Sequence, residues 1–245
     1  MIEAHGLRKT FGKITAVDEV SFLARDGEVT GLLGPNGAGK TTSMRLIYGL
    51  ARPDSGRVLI EGQECTTNPV EVARRLGVVP DTRGLYPRLT CREHLRYFGE
   101  LQNLSGLELE RRIDELIESL GMEQIADRRV QGFSQGERVK VALARALVHG
   151  PQNILMDEPS NGLDVMGTRA LRALVLRLKE EGKCILFSTH IMQEVTAICD
   201  RVIVIGKGRV VASGTTEEIM HMTGQTTLED AFVDLIGLSE ELVGI

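Results

Sequence analysis

Gly34-Pro35-Asn36-Gly37-Ala38-Gly39-Lys40-Thr41 has the form G-x-x-x-x-G-K-[ST]. Each residue type there has a physical task. The glycines let the backbone curl and aim successive N–H groups at phosphate oxygens. Lys40 carries a cation on a stem long enough for β- and γ-phosphates, and the Thr41 hydroxyl can ligate Mg²⁺. Val29, Leu32 and Leu33 make a strand-like run just before the loop, and residues 42–50 can continue as a helix whose N-terminus favours an anion. Strand, glycine-rich turn and helix in that order predict an α/β fold that cradles phosphate.

Outward from this loop, turn signals cut the first sixty residues into short strands. Residues 2–4, 20–24 and 57–60 are separated by Gly12-Lys13, Asp26-Gly27 and Pro53-Asp54-Ser55-Gly56. Apolar runs at 153–156, 184–188 and 202–205 suit buried parallel strands, and Gly206-Lys207-Gly208 predicts a hairpin from the last of these to 209–212. From about 85 to 148 the period becomes helical. Leu109, Ile113, Leu116, Ile117 and Leu120 share one face, with Gly121 placed to end the helix, and Val139, Leu143, Ala146 and Leu147 share another. A further amphipathic helix follows the N-cap residue Asp164 through Leu171, Leu174, Val175 and Leu178 to near Gly182. Leu228, Phe232 and Leu235 give the tail a short helical pattern. The reading is an α/β core interrupted by a helical insert.

Composition narrows the function. The 245 residues can bury a full core, as one large domain or two lobes. A net charge of −5 lacks the basic footprint of a nucleic-acid binder, and six Phe, three Tyr and no Trp leave little surface for stacking bases. Cys65, Cys91, Cys184 and Cys199 have neither disulfide nor metal spacing and read as reduced thiols of a cytosolic protein, with Cys184 buried. No apolar stretch approaches the ~18 residues needed to span a bilayer, and the first residues do not read as a signal peptide. A membrane role therefore requires a partner.

Asn153-Ile154-Leu155-Met156-Asp157-Glu158 ends an apolar strand in two carboxylates, at the edge where open α/β sheets bind ligands. Asp157 would hold Mg²⁺ through water, and Glu158 would be the general base that polarises an attacking water. The plain alternative is a strand ending in solvated acids. His190 follows the run 184–188 and Thr189, where it could hydrogen-bond a γ-phosphate or serve the fold alone. Ser134, in Gly132-Phe133-Ser134-Gln135-Gly136-Glu137, precedes a helix beginning near Arg138. From these residues alone, a second anion site and a simple N-cap stand equal.

Taken in order, residues 34–41, 133–137, 157–158, 161–164 and 190 resemble the ATP-binding cassette of ABC transporters over essentially the whole chain. The resemblance implies an α/β P-loop NTPase (RecA-like) core with an antiparallel β subdomain and an inserted α-helical subdomain. It assigns 1–84 and 149–222 to the core, 85–148 to the helical subdomain with the signature, and 223–245 to a short C-terminal helical tail. Gly34, Pro35, Asn36, Gly37, Ala38, Gly39, Lys40, Thr41 and Thr42 would bind ATP as the Walker A loop. Asp157 and Glu158 match Walker B and the catalytic glutamate, and His190 the catalytic switch histidine. Phe133-Ser134-Gln135-Gly136-Glu137 is similar to the Leu-Ser-Gly-Gly-Gln signature, and Asn161-Gly162-Leu163-Asp164 to the D-loop at the dimer contact. Phe11 and Val17 fall where the family contacts adenine, and Thr41 and Asp157 where it holds Mg²⁺.

The resemblance further implies a homodimer formed head to tail on ATP. Ser134 and the Gly136 N–H would reach the γ-phosphate held by the other copy. It implies an ATPase, cytoplasmic and peripheral on the inner face of the membrane through an integral membrane permease subunit, with no direct insertion and no nucleic acid. Three positions depart from the pattern. Asp81 stands where the family carries a glutamine that touches Mg²⁺, Gln135 replaces a glycine, and Glu137 a glutamine. Residues 80–90, the Phe-Ser-Gln-Gly signature and 189–201 look like the NatA-type ATPases associated with sodium efflux. The alternatives are a soluble ATP-driven switch and a weakly hydrolysing regulatory cassette without transport.

Overall fold

The structure, a computed structural model, describes residues 1–66 and 68–241; residues 242–245 of the expected tail lie outside them. The chain opens with strands β1 (Ile2–Phe11), β2 (Ile14–Ala24) and β3 (Val29–Leu33), then the glycine-rich loop and helix α1 (Lys40–Ile47). Strands β4 (Ser55–Ile60) and β5 (Gln63–Glu64) return beside β1, and helix α2 (Pro69–Arg75) leads into β6 (Leu76–Val79). Three helices follow: α3 (Cys91–Leu101), α4 (Gly106–Ser119) and α5 (Gln135–Leu147). The chain then alternates through β7 (Asn153–Asp157), α6 (Val165–Glu180), β8 (Cys184–Thr189), α7 (Met192–Ile198), β9 (Arg201–Gly206) and β10 (Arg209–Gly214). It closes with α8 (Thr216–Thr223) and α9 (Leu228–Glu241).

The strands form an antiparallel sheet of order β2-β1-β4-β5 and a six-stranded sheet of order β10-β9-β3-β8-β7-β6. In the second sheet, β9, β3, β8, β7 and β6 run parallel and β10 turns back antiparallel. Because β3 lies between β8 and β9, the loop after it emerges where chain order reverses, the usual crevice of open α/β sheets.

Strand periodicity divides the core. Ile154, Met156, Ile185 and Phe187 face the helical side with α3–α6. Leu155, Cys184 and Leu186 face the antiparallel sheet and α1. Alternate residues on opposite faces are what a pleated strand dictates, and helices on one side with a sheet on the other leave both faces dry.

Boundaries moved for local reasons. The helix after the loop begins at Lys40 and ends at Ile47, against an expected 42–50. Helix α5 starts at Gln135, three residues before the expected Arg138, because Ser134 and Glu137 close a capping box there. Strand β6 carried no clear signal. Its four residues include Gly77, where a Cβ would stand 2.3 Å from the Ala146 carbonyl oxygen. Glycine is required because α5 crosses close to the strand.

Candidate functional site

The C-terminal ends of β3, β7 and β8 converge on a cleft of 250 Å³ walled by Ala16, Lys40, Thr41, Thr42, Asp81 and Glu158, with Asn36, Gly37, Gly39 and Asn161 completing it. Gly39 has φ 105°, and a Cβ there would stand 2.4 Å from the Ala16 carbonyl oxygen. Gly34 is equally confined, its Cβ position 2.4 Å from the Ile205 carbonyl oxygen. Side chains at either point would fill the cradle. Pro35, Asn36 and Gly37 stand exposed at the crest, while Ala38 is buried beneath it.

Lys40 is 5% exposed, so burial puts a premium on its partners. Its Nζ donates to the carbonyl oxygens of Gly34 at 2.8 Å and Pro35 at 3.3 Å, and pairs with Glu158 Oε1 at 3.2 Å. The ammonium is thus held against the loop by two of its carbonyls and one carboxylate.

Asp157 ends β7 fully buried, directly across from Ser188 of β8. Ser188 Oγ donates to Asp157 Oδ1 at 2.6 Å, and Thr41 Oγ1 donates to the same oxygen at 3.3 Å. Burial pushes the Asp157 carboxyl above its ordinary range. The two hydroxyls oppose this, and the charges of Asp81 and Glu158 add to it.

Glu158 has φ 47°, a left-handed conformation that a side chain rarely adopts. Its N–H is shared between Ser188 O at 3.2 Å and Ser188 Oγ at 3.0 Å. Its carboxylate, nearly buried, lies between Lys40 and His190, whose Nδ1 stands 2.8 Å from Oε2. His190 itself is exposed. The arrangement holds one carboxylate rigidly at the mouth of a phosphate cradle, where it can accept a proton from water aimed at a bound phosphate. Thr41 and Asp157 supply hard oxygen donors for a divalent cation, with Asp81 at the rim. Among the described residues no three His, Cys, Asp or Glu side chains form a cage by themselves. That suits an ion bound by one or two carboxylates and the phosphates of its ligand.

Other expected residues sit elsewhere. Phe11 is exposed at the β1–β2 turn, under the Lys9 ammonium at 5.6 Å. Val17 has no exposed surface and packs in the core with Ala38 and Met44. The cleft wall on that side is Ala16, a residue sequence reasoning missed. Ser134 and Gly136 lie at the start of α5 and do not line the cleft. Ser134 Oγ accepts from Glu137 N at 3.2 Å while Glu137 Oε2 accepts from Ser134 N at 2.7 Å. So the N-cap is real, and the Ser134 O–H remains free to donate outward. Glu137's carboxyl is held below its ordinary range chiefly by that Ser134 N–H. Asp164 caps α6 through Gly167 N at 2.7 Å. Ser188 was also missed, since only the pairing of β7 with β8 brings it beside Asp157.

The ABC transporter family profile matches residues 17–161. Over 221 residues the chain is 46% identical to the ABC transporter ATP-binding protein NatA of Bacillus subtilis, spanning 90% of each. It is 34% identical to the linearmycin resistance ATP-binding protein LnrL of the same organism, across 93% of this chain and 73% of that one. A bacterial ABC transporter cassette solved as a dimer superposes with TM-score 0.80 at 27% identity, covering 88% of this chain and 98% of the other.

Proposed function

The chain belongs to the ABC transporter family as an ATP-binding subunit and ATPase, and from that premise we propose that it drives export through a separate membrane permease. The carrying observation is the split of phosphate ligands within one chain. Lys40, Thr41 and Glu158 line the cleft, Asp157 lies buried behind Thr41 at 3.3 Å, and Ser134 and Gly136 lie outside it. A second copy, joined head to tail, would supply the missing donors; the dimeric relative supports this reading.

In this reading residues 34–42 bind the phosphates of ATP and Phe11 stacks on the base. Mg²⁺ would sit on Thr41 and Asp157, with Asp81 in reach, and would neutralise phosphate charge when bound. Lys40 leaves Glu158 for the γ-phosphate. Glu158 then holds the attacking water and takes its proton, and His190 keeps the carboxylate in place. Asn161 and Asp164 form the contact at the dimer seam. Residues 85–148 act as an arm that carries the signature, against a core of 1–84 and 149–222 and a tail from 223. Residues 81–90 meet the permease, which would hold the subunit on the cytoplasmic face of the membrane.

With the permease present, Glu158→Gln should lower ATP turnover by about 10²–10³-fold, since the amide keeps the shape and loses the base. Equal turnover in wild type and variant would sink the mechanism. Photo-cross-linking from Tyr86 should give a permease adduct. For cargo we propose Na⁺, on the strength of the 46% relative and the resemblance to sodium-efflux ATPases. The linearmycin-resistance relative favours a second reading, export of an antibiotic. Vesicles with the reconstituted pair should move ²²Na⁺ on ATP; antibiotic transport without sodium flux would decide for the second.

A further inference from the structure

Arg83 lies in the loop after β6, two residues past Asp81, within the 80–90 stretch but with no role of its own assigned there. Its guanidinium joins two of the expected motifs. Nη1 donates to Gln135 Oε1 at 2.9 Å, and Nη2 donates to the Asn161 carbonyl oxygen at 2.8 Å. Gln135 is the residue that replaces a signature glycine, and Asn161 opens the segment 161–164. The Gln135 side chain also leans on that segment, its Cγ 3.6 Å from where a Cβ on Gly162 would be. Burial draws the Arg83 pKa down and the charge of Asp81 opposes this, as for a guanidinium partly stripped of water. A planar, two-pronged donor can hold two acceptors in one geometry at once.

We propose that Arg83 is a positioning residue that clamps the signature and the 161–164 segment to the loop facing the permease, so that all three enter the subunit seam as one piece. The proposal rests on the reading that ATP pairs two copies of this chain. Ser134 and Gly136 must be presented together with Asn161 for the seam to close, and both lie within a residue of an Arg83 acceptor. The clamp also accounts for Gln135: its side chain is turned onto its own chain, against Arg83 and Gly162. Movement of residues 81–90 by a membrane partner would then pull directly on the signature.

The test uses the full chain in a Glu158→Gln background, where ATP-driven pairing persists without turnover, followed by sedimentation velocity across an ATP titration. Arg83→Ala should raise the ATP concentration for half-pairing at least about 10-fold, the cost of a charge-assisted bond. Nucleotide affinity of the single subunit, read with a fluorescent ATP analogue at protein concentrations below pairing, should stay within about 2-fold. Arg83→Lys, which can serve one acceptor, should fall between. Arg83→Ala and Gln135→Ala should combine to less than the product of their separate effects. Pairing of Arg83→Ala at the control's ATP concentration overturns the clamp alone. So does an equal loss of single-subunit affinity and melting temperature, which marks a merely structural role. If Arg83→Ala does not fold, Arg83→Lys and Gln135→Ala carry the test, and independent effects overturn it. Failure of the Glu158→Gln control to pair on ATP overturns the dimer reading and the clamp with it.

Discussion

Glu158, the proposed general base, stands in a strained conformation. A left-handed φ of 47° on a side-chain-bearing residue costs on the order of 1–3 kcal/mol. The surroundings hold it there through Ser188, whose carbonyl and hydroxyl both take the Glu158 N–H. The same hydroxyl donates to buried Asp157, so one serine orients both acids. Ser188→Ala should therefore cost about 1.5–3 kcal/mol, the range for a hydrogen bond to a charged group, measured by denaturant unfolding. Burial already raises the Asp157 pKa, and the lost donor would raise it further. The hydroxyl supports the anion, so the loss should be larger at pH 7 and shrink as acid protonates Asp157. A loss that does not vary with pH would count against this account. Asp157 and Glu158 were legible because they end an apolar run. Ser188 was not assigned because its role depends on strand register, which pairs residues 31 positions apart.

Among the elements, helix α5 explains one departure from the signature, Glu137 in place of a glutamine. An acid at 137 would weaken a phosphate site if it faced the phosphate. It instead folds back on the Ser134 N–H and pairs with Arg128 at 3.2 Å. Glu and Gln both close a capping box, so the change from glutamine preserves the helix start. Glu137→Ala should destabilise the protein by about 0.5–1.5 kcal/mol, and Glu137→Gln by less, in urea titrations. Equal effects would mean the box contributes nothing. Because the pairing lowers the Glu137 pKa, its contribution is present above the ordinary carboxylate range and fades as pH falls through it. The box was readable as Ser-x-x-Glu, yet the helix was expected three residues late because Gln135 and Gly136 carry no apolar periodicity.

On the scale of the whole molecule, the helical arm is packed at its start by an aromatic cluster. His94 of α3 is fully buried, stacks on Tyr86 and Phe98, and accepts Tyr86 N–H on Nε2 at 2.7 Å. Burial pushes its pKa down to about 4, the charge of Arg145 adds to the fall, and the Tyr86 bond opposes it. A depressed histidine pKa leaves stability full above the unfolded value near 6.5 and loses it as pH drops toward 4. The loss approaches about 3 kcal/mol over that window. Melts between pH 7 and 4.5 should show it, and His94→Phe should flatten that part of the profile; an unchanged slope would dismiss His94 as the acid-sensitive group. Tyr86 lies on the loop proposed to meet the permease, so acid would loosen that surface first. Nearby, a groove of 470 Å³ lined by Tyr48, Leu50, Pro80, Phe98 and Arg145 separates arm from core.

The α/β class, the phosphate loop, the two acids and the helical insert were legible before any fold was known, because each is written in contiguous residues. Loop curvature, apolar period and caps act over a few positions, where backbone sterics and local hydrogen bonds decide. Only the tertiary structure decided that Ser188 serves Asp157, that Ala16 and not Val17 walls the cleft, and that Arg83 spans Gln135 and Asn161. Those pairings join segments tens of residues or more apart in the chain. They are set by strand order and by how the arm packs on the sheet, and packing across such distances depends on the summed burial of the core rather than on any local pattern.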